Sequence, residues 1–298
     1  MYYRRKIILG LLETFEGKLN KTAFQKLLFI LSKAQEKPSF EFVPYKFGCF
    51  SFQSYADIRT MIKYDQIHGD KSELESFWMK KDLNKYYPTL KKKDQLLLNY
   101  LKSNFSDYSP EDLIKYTYRK YPYYAIRSTI AEELLTEEEL KQVHLQRPVS
   151  KLKALYTIGY EGISQENYLN RLINNDIKVL CDVRRNPLSM KYGFSKNQLR
   201  KACEGLGIEY VHIPEVGIAS NKRKELNTQK DYDLLFEDYN HTLSEKRPTE
   251  GVEKIKTLLS TNDRIAITCF EADIHQCHRK HLAINALKNS NEFELIHI

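Results

Sequence analysis

The sequence lacks any apolar run near the 18 residues that a membrane-crossing helix requires, so a soluble chain with no membrane partner is expected. Cysteine is scarce: there are five, an odd number, and none forms a C-x-x-C pair. A disulfide framework is not indicated, and residues 1–10 show no signal-peptide pattern. The expected compartment is therefore the cytoplasm, with the thiols reduced. Several familiar motifs are missing as well. There is no G-x-x-x-x-G-K-[ST] loop, no G-x-G-x-x-G turn and no G-x-S-x-G elbow. Those absences exclude the commonest triphosphate and dinucleotide cradles, and no cofactor is expected. Internal repeats and low-complexity tracts are absent too.

What is present suits two folded domains in 298 residues. Hydrophobic residues make up 42% and charged residues 29%, enough to bury a core and solvate a surface. Lys+Arg number 47 against 39 Asp+Glu, with a pI near 9.0. That is a moderate lean toward anionic partners, and residues 1–150 carry most of it.

The rhythm of the chain changes at its middle. In "KTAFQKLLFILSKA", Phe24, Leu27, Leu28 and Leu31 share one helical face. The aromatic segment "FEFVPYKFGCFS" reads as a short hairpin, and helical spacing returns in "SFQSYADIRTMIKYDQI". Helix, hairpin, helix predicts a mainly helical, winged-helix-like domain over 1–148. Ser109, Pro110, Glu111 and Asp112 form a strong helix start. From residue 153 to 298, strands alternate with helices. "ALYTIGY", "IKVLCDVR", "IEYVHIP", "RIAITCFE" and "FELIHI" read as strands of a Rossmann-like α/β domain with a mostly parallel sheet. The boundary falls in Leu145–Lys153.

Ligands of such sheets bind at the carboxyl ends of the strands. The residues just past those ends are Tyr160 and Glu161, Asp182 to Pro187, Pro214 to Gly217, and Cys269 to Glu271. The segment "CFEADIHQCHR", Cys269 to Arg279, is the densest in reactive groups and admits three readings. A metal site would use Cys269, Cys277 and His278 or His281, but on a continuous helix the neighbours Cys277 and His278 point apart. A nucleophile would be Cys277 at a helix N-terminus. An anion clamp needs only that N-terminus with Arg279, Arg184 and Arg185, and it is the preferred reading, with no metal expected.

Four segments carry a resemblance: "YTIGYEG", "VLCDVRRNPLSMKYGFSKNQL", "GIEYVHIPEVG" and "ITCFEADIHQCHRKHLA". Together they resemble a bacterial family catalogued as a domain of unknown function, with T-I-G-[HY], D-V-R-x-x-P-x-S and C-x-E…C-H-R motifs. Val216 stands where that family usually has Leu. The resemblance implies a Rossmann-like fold over residues 153–298 and supplies positions rather than a reaction. The front half is more loosely similar to the Panacea or SocA-like antitoxin-type helical modules, through "KTAFQKLLFILSKA" and "FVPYKFGCFSFQSYADI", with Cys49 where that group tends to have Pro. This resemblance implies toxin neutralisation, phage defence or a protein partner.

Glu271 and Asp182 are the carboxylates best placed to face a developing sugar cation. With Tyr160, Arg184, Arg185, Cys269, His278 and Arg279 around the substrate, they suit hydrolysis of an N-glycosidic bond. The target would be a base in nucleic acid, DNA rather than RNA, flipped into the pocket. The basic, tyrosine-rich stretch "KYTYRKYPYYAIR" would grip the polymer through Lys115, Tyr118, Arg119, Lys120 and Arg127. The competing expectation is a non-catalytic nucleotide sensor or toxin–antitoxin-like adaptor.

Overall fold

The computed structural model describes residues 1–69, 76–223, 226–288 and 290–298. The chain forms two compact units, Met1–Arg147 and Pro148–Ile298.

The first unit runs α1 (Tyr3–Thr14), β1 (Lys18–Asn20), α2 (Lys21–Ala34), β2 (Val43–Tyr45), β3 (Gly48–Phe50), α3 (Phe52–Lys63), β4 (Ile67–Gly69), β5 (Phe77–Lys80), α4 (Lys92–Phe105), α5 (Pro110–Lys120), α6 (Ala131–Leu134) and α7 (Glu137–Leu145). The Asn20 side chain accepts from the backbone of Thr22 and Ala23, which fixes the start of α2. The predicted apolar face of α2 lies in the core with α1. Ser109 and Asp112 cap α5 reciprocally, as their spacing predicts. The hairpin β2–β3 sits between α2 and α3. The three-stranded antiparallel sheet β1-β5-β4 is not expected from the sequence. Its strands are three or four residues long, too short to show an alternating pattern.

The second unit is α/β. Its strands are β6 (Ala154–Gly159), β7 (Val179–Asp182), β8 (Glu209–His212), β9 (Arg264–Cys269) and β10 (Glu294–His297). They form one sheet in the order β10-β6-β9-β7-β8, and every pair is parallel. The five strands expected from the sequence are all there. The crossovers are α8 (Gln165–Asn174), α9 (Lys196–Glu204), α10 (Gln229–Thr242), α11 (Lys246–Asn262) and α12 (Arg279–Ala286). Every residue of β6, β7 and β9 is buried, so both faces of the central sheet are covered. Leu155, Cys181, Ile265 and Ile267 pack on one face with Tyr239 of α10, Ile255 of α11 and Leu282 of α12. Asp182 and Thr268 are paired in register and point to the other face, toward Tyr168 of α8.

Strand β9 lies between β6 and β7. The chain passes from β6 over β9 to β7, and later from β9 back over β6 to β10. The winding reverses there, and the carboxyl ends of these strands open a crevice.

Candidate functional site

The cleft at that edge has a volume of about 500 Å³. It is lined by Tyr160 after β6, Arg184 to Asn186 after β7, Leu188 to Lys191, Ile218 and Arg223, and by Cys269, Phe270 and His278. Five of the six substrate-binding candidates therefore meet in one cleft. Arg279 does not line it.

Asp182, expected as a catalytic carboxylate, is placed inside the fold rather than open at the strand end. It is fully buried. Its two oxygens accept from the Arg184 backbone N–H at 3.1 Å, Arg184 Nε at 2.8 Å, Arg184 Nη2 at 2.5 Å and the Tyr210 hydroxyl at 2.5 Å. A carboxylate so enclosed has no face left for a substrate. Arg184 also donates to the Tyr160 hydroxyl at 2.7 Å and the Phe194 carbonyl at 2.8 Å. Asp182 holds its guanidinium well above the ordinary arginine value, against the cost of burial. Arg184 therefore braces the β7 corner and the Tyr160 ring, which stacks on Phe194 with centroids 4.3 Å apart.

Arg279 is likewise occupied away from the cleft. Buried beneath the β9–α12 loop, it donates to the carbonyls of Glu271 at 2.5 Å and Ala272 at 3.0 Å. No bond links it to Arg184. The two guanidinium groups hold separate corners, so the anion clamp built from them is not formed.

The dense segment folds differently from the helix expected. Ile274–Gln276 is a 3-10 turn, Cys277 is extended at φ −131° and ψ 132°, and α12 starts only at Arg279. This break turns Cys277 and His278 toward one another. His278 Nδ1 lies 4.0 Å from Cys277 Sγ and 3.8 Å from Cys269 Sγ. All three side chains are buried. Cys269 Sγ is 3.1 Å from Glu271 Oε2, and the other Glu271 oxygen pairs with Arg223. The two thiols share their protons unequally. The hydrogen bond to Cys277, and then burial, push Cys269 well above the ordinary thiol value. Burial also pushes Cys277 up, but the bond from Cys269 together with His278 and Arg279 outweighs it and holds Cys277 well below. Burial, and then Cys277, raise Glu271, while Arg223 pulls it back.

Sequence reasoning missed Arg223. It sits in a short 3-10 turn, Ser220–Arg223, with no motif around it. One of its N–H groups meets Glu271, while its Nε and Nη2 are buried with no partner among the described residues. Lys191, also missed, donates to the Tyr160 carbonyl at 2.7 Å from the cleft wall. Burial lowers its pKa, against the pull of Glu161. Arg185 is exposed at the rim and reaches the Pro214 carbonyl at 3.4 Å.

The stretch expected to grip nucleic acid is largely a packing element. Tyr118 is 1% exposed and its hydroxyl meets Ser128 Oγ at 2.7 Å, so it offers no ring to a base. Tyr121 and Tyr124 pack edge-on against Phe29. Lys115 pairs with Glu111, Arg119 pairs with Glu139, and Lys120 donates to the Tyr116 hydroxyl. Arg127 is half-buried beside them. The alternation of basic and aromatic residues reflects the amphipathic helix α5 and the 3-10 turn after it, whose tyrosines pack against the core while Lys115 and Arg119 meet neighbouring acids.

Among the described residues, no helix is long and apolar enough to cross a membrane. No curated protein and no solved structure matches the chain. Residues 164–285, from the start of α8 to the last turn of α12, match the family described as Domain of unknown function DUF488.

Proposed function

We propose that the second unit is a hydrolase that takes a nucleotide unit of nucleic acid into the carboxyl-edge cleft and cleaves its N-glycosidic bond. The observation that carries this reading is the pairing of Arg223 with Glu271. Arg223 lines the cleft and keeps two nitrogens, Nε and Nη2, buried without a partner among the described residues, and forked N–H donors suit a phosphate. The same arginine holds a carboxylate beside the place where that phosphate would sit. Arg185 and Lys191 add positive charge at the wall, and Phe270, 42% exposed, offers an apolar surface to a base. In this reading Glu271 faces the oxocarbenium-like sugar and directs water to it. Asp182 has no chemical role. The first unit, read as a Panacea-like module, contacts a protein partner rather than the polymer.

The test is incubation of the full chain with normal and base-modified DNA and with free nucleotides, followed by mass spectrometry for released bases. Release by the wild type and its loss in Glu271→Gln support the reading. Nucleotide binding without release favours a sensor. Absence of both binding and release rejects the cleft as a nucleotide site.

A further inference from the structure

The cluster behind the cleft wall has a property that glycosidic hydrolysis does not require. Cys269, Cys277 and His278 each offer one ligand atom, and all three atoms lie within 4.8 Å of one another. We infer that these three residues form a binding site for a thiophilic divalent cation, zinc in the first instance.

The argument begins with donor type. Two sulfurs and an imidazole nitrogen are the ligands zinc prefers. Bonds of about 2.3 Å to sulfur and 2.0–2.1 Å to nitrogen, at tetrahedral angles, place ligand atoms roughly 3.5 Å apart. The observed separations of 3.8 and 4.0 Å to His278 Nδ1 need only a few tenths of an ångström of contraction. Burial supplies the second step. The three side chains are each no more than 3% exposed. One imidazole nitrogen cannot satisfy two sulfurs at once, whereas a cation between them satisfies all three.

The chain path supplies the third step. The extended residue Cys277 interrupts what would otherwise be one helix from residue 275, and this break is what turns the Cys277 and His278 side chains inward together. Arg279 then ties the loop down through the carbonyls of Glu271 and Ala272. The ligands therefore stand on braced backbone.

Three protein ligands leave the fourth position open, the arrangement of catalytic rather than structural zinc. Glu271 Oε2 accepts from the Cys269 thiol at 3.1 Å, so a carboxylate stands next to one of the three ligands. A zinc held by Cys269, Cys277 and His278 would supply Lewis-acid activation of water, with Glu271 as the neighbouring carboxylate. Cys269 and His278 also line the cleft, so the open position is next to the ligand space.

The experiment uses the full chain, reduced, stripped with chelator and titrated with zinc alone, then with cobalt as a spectroscopic reporter. The expected result is one zinc per chain by elemental analysis after gel filtration. Cobalt should give thiolate-to-metal charge-transfer absorption. Cys269→Ser and Cys277→Ser should each weaken binding on the order of a hundredfold or more. Cys203→Ser, in a buried thiol of α9, should leave zinc binding unchanged. The wild-type stoichiometry decides the matter even where a variant fails to fold. Substoichiometric zinc in folded, reduced wild type would overturn the inference. So would a Cys269–Cys277 disulfide in the isolated protein, which would make the pair a redox couple. Zinc binding is read without substrate, so zinc with no base release rejects the glycosidic reading alone, and base release without zinc rejects the metal site alone.

Discussion

A Cβ on Gly159 would stand 1.9 Å from the carbonyl oxygen of Glu271. The end of β6 and the loop after β9 touch backbone to backbone, and only glycine allows it. The same carbonyl accepts from Arg279, so the height of Glu271 above the sheet is fixed from two sides. Gly159→Ala should push the loop away at a cost of about 1–3 kcal/mol. Circular dichroism should still report a folded α/β unit. Zinc affinity and nucleotide binding should both fall, because Glu271 and Cys269 move together. Unchanged zinc and nucleotide binding in a folded Gly159→Ala would show that the loop height does not matter.

Asp182→Asn is a stability prediction. The substitution leaves the Arg184 guanidinium buried without its counter-charge, and breaking a buried pair costs about 3–5 kcal/mol. Denaturant unfolding should show this as a lower midpoint with an unchanged slope. A loss of ligand binding with full stability would instead return Asp182 to the site.

The parallel sheet was legible in the sequence because its three central strands form runs buried on both faces and are separated by amphipathic helices. Candidate positions were legible for the same reason, since the fold rule places chemistry at strand ends, and Tyr160, Arg184, Cys269 and His278 do meet there. Three things were not legible. The roles of Asp182 and Arg184 depend on Tyr210 and Phe194, which approach only after folding. Arg223 reaches Glu271 across 48 positions from a turn with no pattern of its own. The convergence of Cys277 and His278 depends on one extended residue, and the helical spacing of the segment hid it.

Lys26 on α2 makes a separate, pH-dependent prediction. It is buried, with Phe47 and Cys49 as neighbours and no carboxylate bonded to it among the described residues. Burial lowers its pKa below the ordinary 10.5. The unfolded chain therefore binds this proton more tightly than the native one. The resulting destabilisation is greatest below the folded pKa and is relieved as pH rises toward 10.5. Lys26→Met has no such proton to lose. As pH rises toward 10.5 the wild type should gain stability relative to Lys26→Met, read from paired denaturation curves. A difference that stays flat with pH would mean that Lys26 remains charged in the fold.

Arg223 offers the sharpest test of the cleft. Its Nη1 is bound to Glu271, and its Nε and Nη2 have no partner among the described residues. Arg223→Lys keeps the charge beside Glu271 but replaces a planar fork with a single ammonium. If the fork binds a phosphate, Lys should retain the fold and lose about tenfold or more in affinity for nucleoside monophosphates. Nucleosides without phosphate should bind the wild type and Arg223→Lys equally. Arg223→Met removes the charge as well, leaves the half-buried Glu271 without a counter-ion, and should lower stability in addition. Phosphate-dependent loss in Lys, with a further drop in melting temperature in Met, separates the two roles of one side chain. Equal loss for nucleosides and nucleotides would mean that Arg223 only supports Glu271, and that the phosphate lies against Arg185 or Lys191 instead.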